Sequence, residues 1–335
     1  MKAVILAGGK GSRLYAVTRG EVPKPMVPLG GRPVLEWLIL RLRQSGIRHI
    51  CCTLQCLPDQ IRDYFGDGER FDVHMEYRQE TLPLGTAGAV KNCRDFAGDE
   101  PFFVLSGDGV FDFDLRPMME AHRRHESAVT MALSPLASPL SYGLALTDSV
   151  GRIRGFIEKP VWERVVTDLV NTGIYVLSPT VLDLIPEGVP FDFARDLFPA
   201  LLDAGQPLFG LPLEGYWRDI GEPESYYQCN LDALQGRLRL PGSEEAAKAE
   251  PPSPRPQRYR CSLTVEAPRR ARLMRAVSAA LMEAGADFTD GITLNTVPGG
   301  LHIAAASAAP AVLIESDNPD TAERYRKLVD NINEN

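Results

Sequence analysis

The sequence predicts an α/β protein: a mixed, mostly parallel sheet with helices on its faces, followed by a small α+β module. Three observations predict it. Strand-like and helix-like segments alternate through the N-terminal half, the βαβ rhythm of a parallel sheet. From Ser127 onward the long helices between strands disappear, so the sheet becomes mixed. A proline-rich stretch at 237–258 then breaks the composition, and a second pattern of strands and helices follows it.

The elements follow in order. "KAVILA" is an apolar strand, and "VLEWLILRLRQSG" carries apolar residues at helical spacing and stops at Gly46. "HICCTL" is a strand, "PDQIRDYFG" a helix after a proline, "VHMEYRQ" a strand and "TAGAVKNCRDF" a helix. "FFVLSGD" is a strand that ends in a polar turn. "AVTMALSP", "YGLALTD", "RIRGFIEKP" and "TGIYVLSP" are strands, while "TVLDLIP" and "ARDLFPALLDAG" are helical. "PLFGLPLEGYWRDIG" is extended, and "PESYYQCNLDALQG" is the helix that closes the first domain at 236. Residues 259–335 add a strand, a helix over 269–285, three short strands and a final helix. That size is near the lower limit for an independent core.

A chain of 335 residues favours two domains. Its 44% hydrophobic and 24% charged residues are those of an ordinary globular protein. A net charge of −8 argues against nucleic acid or a membrane surface as a partner, and it permits a local cationic pocket. No apolar run has transmembrane length, and Ala3–Ala7 is too short for a signal peptide, so a cytoplasmic protein is expected. None of the six cysteines forms a C-x-x-C pair. His49, Cys51, Cys52 and Cys56 read as a buried strand and its exit rather than as a zinc site. Disulfides are not expected in a reducing compartment.

The first strand runs into "GGKGSR", with a second cation, Lys24, between Pro23 and Pro25. Glycines let backbone N–H groups approach phosphate oxygens, so the loop suits a phosphate cradle. The spacing matches neither G-x-x-x-x-G-K-[ST] nor G-x-G-x-x-G. Taken alone, the glycines are equally those of a tight turn.

The motifs "LAGGKGSRL", "PKP", "PLGTAGAV", "LSGDGVFDFDL", "YG", "FIEKP", "NTGIYVLSP" and "YWRDIGEPESY" follow in that order and together span about residues 1–236. In these motifs and their order the chain resembles the sugar-1-phosphate nucleotidyltransferases, in particular the mannose-1-phosphate guanylyltransferase branch. The resemblance implies a Rossmann-like fold and a reaction in which a sugar 1-phosphate attacks the α-phosphorus of a nucleoside triphosphate, releasing pyrophosphate. It also implies roles. Gly8, Gly9 and Gly11 would wrap the triphosphate, with Leu6, Ala7, Ser12, Gly85 and Thr86 also binding the nucleotide. Arg13 would hold the β- and γ-phosphates, and Lys24 would reach the α-phosphate. Asp108 and Asp219 would bind Mg²⁺, Asp108 also serving catalysis. Gly143, Glu158, Lys159, Asn171 and Thr172 would meet the sugar phosphate. Asp112 and Asp114 are expected to face solvent or to cap a helix.

Glu80 stands where the family reads the base. One carboxylate can accept from both N1–H and N2–H₂ of guanine, whereas uracil and thymine offer a single N–H there, so Glu80 favours GTP. The adjacent Gln79 is the alternative reader, and in extended chain the two point to opposite sides. The implied partners are therefore GTP (or another nucleoside triphosphate) and a sugar 1-phosphate, mannose 1-phosphate first, with a homo-oligomer left open. UTP or dTTP with glucose 1-phosphate is one alternative, and a silent regulatory or binding subunit is the other. This sequence departs from the family at Tyr15, where proline is usual, and in the glycine-rich "GDG" around Asp108.

Residues 259–335 resemble the last domain of the phosphohexomutases in their pattern of helix and strands. Their "AAASAAP" loop has only Ser307 to contact phosphate, and the mutase serine and metal domains are missing. The resemblance therefore implies an assembly or regulatory role and no mutase activity.

Overall fold

The computed structural model describes residues 1–241, 259–264, 273, 276, 277, 281, 292–294, 301–305, 311–316 and 318–334. The chain divides into two compact units, Met1–Pro251 and Pro252–Asn335.

Among the described residues the first unit is built on a nine-stranded sheet. Its main path runs Ile153–Glu158, Gly143–Thr147, Leu169–Leu177, Phe102–Ser106, Lys2–Leu6, His49–Leu54, His74–Gln79. Val129–Pro135 pairs with Leu169–Leu177 and, on its other side, with Leu208–Pro212. The strands from Phe102–Ser106 to His74–Gln79 are all parallel. Leu169–Leu177 is antiparallel to Phe102–Ser106, and there the sheet becomes mixed, as the loss of helices after Ser127 predicts.

The central strand explains the arrangement. Ala3, Val4 and Ile5 are all inaccessible, because helices cover both faces of a parallel sheet. Two apolar layers result. One holds Ile5, Leu35, Ile39 and Leu42. The other holds Val4, Val90, Phe102 and Phe198. Cys51 and Cys52 lie buried in the strand His49–Leu54, as small apolar residues do.

Four expectations need correction. The helix expected over "TAGAVKNCRDF" is two, Gly85–Lys91 and Arg94–Ala97, because the turn after Lys91 closes at Cys93. "TVLDLIP" is a 3₁₀ turn, Pro179–Leu184. "ARDLFPALLDAG" opens as a π turn at Phe193–Leu197 before the α-helix Phe198–Asp203. The linker expected at 237–258 does not begin at 237, since Leu238 and Leu240 are buried in the first core. Residues 242–258 lie outside the described residues.

Asp112 also differs from expectation. Its side chain is 2% exposed and accepts from the backbone N–H of Tyr216 at 2.7 Å. Asp114 does cap a helix, accepting from the N–H of Arg116 at 3.0 Å.

In the second unit Tyr259–Thr264, Ala311–Ser316, Leu301–Ala305 and Ile292–Leu294 form an antiparallel sheet in that order. Of the helix expected over 269–285, Leu273, Ala276, Val277 and Leu281 are described, and all are helical. Leu273, Val277 and Leu281 join Ile303, Ile314, Tyr325 and Val329 in a core of their own. Tyr325 and Val329 come from the final helix, Pro319–Glu334. Ser307 lies outside the described residues. No described helix is long and apolar enough to cross a membrane.

His122, on the helix Arg116–Arg124, is buried between the hydroxyls of Thr130 and Ser178, each 3.1 Å away. Burial pushes its pKa down from 6.5 to about 4. The unfolded chain therefore takes up this proton first, and stability falls as pH drops through that window. We expect a melting temperature that is level above pH 6.5 in this respect and falls toward pH 5, with His122→Gln flattening the slope. Thermal melts of both proteins across that range check it.

Candidate active site

Lys2–Leu6 and Phe102–Ser106 are adjacent and parallel, with Leu6 opposite Ser106. Both chains leave the sheet at its carboxyl edge, where α/β proteins bind ligands. One continues as the glycine loop and the other as "GD". The Gly107 N–H donates to the Leu6 carbonyl at 2.9 Å, and the Ala7 N–H to the Thr53 carbonyl at 3.1 Å, so the root of the loop is rigid. Gly9 and Ser12 are exposed beyond it.

Lys24 is buried in a short 3₁₀ turn whose start is set by Pro23 and Pro25. The turn packs under the loop. Gly11 has a left-handed φ of +63°, and a Cβ there would meet Lys24 Cβ at 3.0 Å. Lys24 Nζ donates to Asp108 Oδ2 and lies 3.6 Å from Asp219 Oδ1. The Ser106 hydroxyl donates to Asp108 Oδ1 at 2.5 Å.

Burial alone would raise the Asp108 pKa, but the Lys24 charge and these hydrogen bonds outweigh it and hold the carboxyl below its usual range. Asp219 moves the other way. Burial and the neighbouring Asp108 charge push it up, with Lys24 pulling back part of the way. Asp219 Oδ1 is buried and accepts no hydrogen bond. With only the 3.6 Å approach of Lys24 Nζ to offset its burial, this oxygen keeps lone pairs free that a cation would suit.

Asp219 reaches Asp108 through a second, two-stranded sheet. Trp217–Asp219 runs antiparallel to Gly109–Phe111, with Asp219 opposite Gly109. The Arg13 guanidinium lies over the next turn, 3.5 Å from Glu222 Oε1. Its side chain is well exposed.

Glu80 faces the loop. A Cβ on Gly8 would lie 3.0 Å from Glu80 Oε1, so the glycine leaves room for the carboxylate to stand close. Glu80 Oε2 accepts from the Leu84 N–H at 3.2 Å. Burial raises the Glu80 pKa, partly offset by that N–H. Gln79 points away and accepts from Arg62 at 3.0 Å, which separates the two candidate base readers.

Gly143 and Glu158 face each other across an antiparallel pair. A Cβ on Gly143 would meet Glu158 Oε2 at 2.8 Å. Lys159 follows with a left-handed φ of 41°, unusual for a side-chain-bearing residue, and donates its N–H to the Tyr142 carbonyl at 3.2 Å. Tyr142 packs edge-on against Trp217, with ring centroids 5.2 Å apart, which joins this group to the carboxylate pair. Asn171 is held by Oδ1, which accepts from the Gly173 N–H and the Tyr175 hydroxyl, both at 3.0 Å.

Three expected residues are placed differently. Thr172 is buried, and its hydroxyl donates to the Ala132 carbonyl at 2.8 Å, so it serves the sheet and not a sugar. Gly85 has a φ of +70°, and a Cβ there would lie 2.7 Å from the Phe191 carbonyl oxygen. Backbone packing therefore accounts for that glycine. Thr86 binds the same segment, donating to Asp192 Oδ1 at 2.9 Å and accepting from the Phe193 N–H at 3.0 Å.

Sequence reasoning missed Ser106, Glu222 and Trp217. Ser106 carries a readable signal, a hydroxyl two residues before a strand-end aspartate. Tyr15 also finds a reason. Its φ of −53° suits proline, but its N–H donates to the Ser12 carbonyl, a bond that proline cannot make.

A loop of glycines, two cations and two carboxylates at one sheet edge define a phosphate-handling α/β domain. Residues 2–236 match the nucleotidyl transferase family, and the chain belongs to it, among the sugar-1-phosphate nucleotidyltransferases. It is 37% identical over 260 residues to a UTP–glucose-1-phosphate uridylyltransferase of Synechocystis, covering 73% of this chain and 67% of that protein. It is 36% identical over 235 residues to a mannose-1-phosphate guanylyltransferase of Mycobacterium tuberculosis, covering 70% of this chain and 65% of that protein. The match thus spans about two thirds of these relatives' own length. A solved structure of HddC from Yersinia pseudotuberculosis complexed with GMP-PN is similar with a TM-score of 0.61 and 29% identity, covering 69% of this chain and 98% of that one.

Thr172→Val tests the reassignment of that residue. It should lower stability by about 1–2 kcal/mol, because the Ala132 carbonyl loses its donor. Denaturant melts should show this loss while the KM for sugar 1-phosphate stays near wild type.

Proposed function

We propose that this chain transfers a nucleoside monophosphate from GTP to mannose 1-phosphate, releasing pyrophosphate. The observation that carries the reaction class is the cluster of Lys24, Asp108 and Asp219 beside the glycine loop. The choice of GTP rests on Glu80, which stands close against Gly8 with Gln79 turned away. The guanylyltransferase relatives and the GMP-PN complex of HddC agree with that choice.

In this reading an oxygen of the sugar phosphate forms the new bond to the α-phosphorus, and the bond to the bridging oxygen of pyrophosphate breaks opposite to it. The protein's work is positioning and charge neutralisation. Leu6, Ala7, Gly8, Gly9, Gly11 and Ser12 shape the triphosphate bed. Arg13 takes charge at the leaving end, and Lys24 holds a positive charge at the reacting end. Gly143, Glu158, Lys159 and Asn171 form the sugar-phosphate side.

Asp108 and Asp219 would hold Mg²⁺, for which carboxylate oxygens are suitable donors and to which Asp219 Oδ1, buried and accepting no hydrogen bond, is suited. When bound, the ion would supply charge neutralisation on the phosphates. The module at 259–335 serves assembly or regulation, a reading that rests on its sequence pattern.

A second reading is UTP with glucose 1-phosphate, favoured by the Synechocystis relative. Pyrophosphate release from each nucleoside triphosphate with each of several sugar 1-phosphates separates the two. Release from UTP and glucose 1-phosphate above all other pairs would replace the GTP reading, and none from any pair would indicate a binding subunit.

Three substitutions sharpen the test. Asp108→Asn and Asp219→Asn should each lower kcat roughly 100-fold or more with the fold retained by circular dichroism. Near-normal Mg²⁺-dependent rates would remove them from the metal site. Glu80→Gln should raise the KM for GTP roughly ten-fold while leaving UTP little changed, since one of its acceptors becomes a donor. An unaltered ratio of GTP to UTP use would remove Glu80 from base reading.

A further inference from the structure

The ladder that brings Asp219 to Asp108 is very short. It pairs Trp217 with Phe111, Arg218 with Val110 and Asp219 with Gly109. Two such strands do not hold a register by themselves. A slip of one residue would move Asp219 by about 3.4 Å and turn its side chain to the opposite face. Something beyond the ladder has to set the pairing.

Asp112 stands at the ladder's other end. Its N–H donates to the Tyr216 carbonyl at 3.1 Å, and its Oδ1 accepts from the Tyr216 N–H at 2.7 Å. Its Oδ2 accepts from the backbone N–H of Arg239 at 3.2 Å and from Arg239 Nε at 3.3 Å. The neighbouring Gly215 has a φ of +138°, and a Cβ there would come 2.6 Å from Asp112 Oδ1, so a glycine makes room for the clasp.

Arg239 is itself anchored. Its carbonyl accepts from Arg41 Nη2 at 2.5 Å, and Leu238 and Leu240 are buried on either side of it. The segment Leu238–Leu240 therefore straps Asp112 to the core. A buried carboxylate used only for stability is a poor device, since an apolar group of similar size often does as well. This one joins Tyr216, which leads into one strand of the ladder, to Arg239 in the strap, and its side chain is only 2% exposed.

We propose that Asp112 is a positioning residue: by clasping Tyr216 and Arg239 it sets the register that holds Asp219 against Asp108 and Lys24. The proposal rests on the reading of Asp108 and Asp219 as a metal-binding pair. It makes the strap at 238–240 part of the site's frame, though it touches no substrate.

The test is Asp112→Asn in the full chain. The amide keeps the size and one acceptor oxygen, but its NH₂ cannot accept from a second donor. Mn²⁺ is the probe, its binding read by electron paramagnetic resonance, with Mg²⁺ titrations of nucleotidyl transfer beside it. Mn²⁺ affinity and half-saturating Mg²⁺ should both weaken roughly ten-fold, the size of effect that supporting groups have on metal sites. KM for the nucleotide at saturating metal should stay near wild type.

Arg239→Ala should shift both in the same direction by a smaller factor. Its side chain is 79% exposed, so this variant decides the matter if Asp112→Asn does not fold. Unchanged Mn²⁺ affinity in the folded variants overturns the proposal, and so does a wild-type chain that binds no Mn²⁺. A chain that binds Mn²⁺, loses it on Asp112→Asn and yet transfers no nucleotide supports the positioning role while removing the proposed function.

Discussion

The contact on which the rest of the first unit depends is the one between Lys24 and the carboxylates of Asp108 and Asp219. Three charged groups from distant parts of the chain meet at a sheet edge, with Lys24 buried and both carboxylates partly exposed. One cation and two anions leave a net negative charge there, with Asp219 Oδ1 accepting no hydrogen bond. Such a cluster is stable only when its members are held and hydrogen-bonded by their surroundings. Prolines hold Lys24, the Ser106 hydroxyl holds Asp108, and a short ladder holds Asp219.

The glycines around the site share a physical role that differs from simple phosphate cradling. Gly8, Gly143 and Gly215 each leave the space where a carboxylate oxygen stands, that of Glu80, Glu158 and Asp112 respectively. In each case a Cβ would press on that oxygen at 3.0 Å or less. A glycine in such a motif is therefore a statement about the side chain beside it as much as about a ligand. Gly9 is the contrasting case, with nothing near its missing Cβ, and it remains open to a ligand.

The family's chemistry is spread over two groups that the fold joins physically. In the proposed reading the loop, Lys24, Asp108 and Asp219 form the triphosphate side, and Gly143, Glu158 and Lys159 the other. Trp217 connects them, since it sits in the ladder, packs on Tyr142 and donates to the Thr172 carbonyl at 3.2 Å. Thr172 thus contributes to the site through its backbone while its side chain secures the sheet.

The amino-acid sequence by itself determined the order of strands and helices, the break in character after Ser127, and the loops that leave the sheet at its carboxyl edge. These follow from local periodicity and from glycine and proline, which act over a few residues. Only the tertiary structure decided which side chains face the site. Glu80 and Gln79 are neighbours in extended chain and differ by a half-turn of the pleat, and only pairing with the adjacent strand says which one turns inward. Leu238 and Leu240 are two apolar residues in a charged, proline-bearing run, too few to show a period, and only the core shows where they fit. Asp112 looks like one more surface acid until its partners, more than a hundred residues away, are brought beside it. Burial and register are properties of contacts between distant segments, so no stretch of sequence read alone contains them.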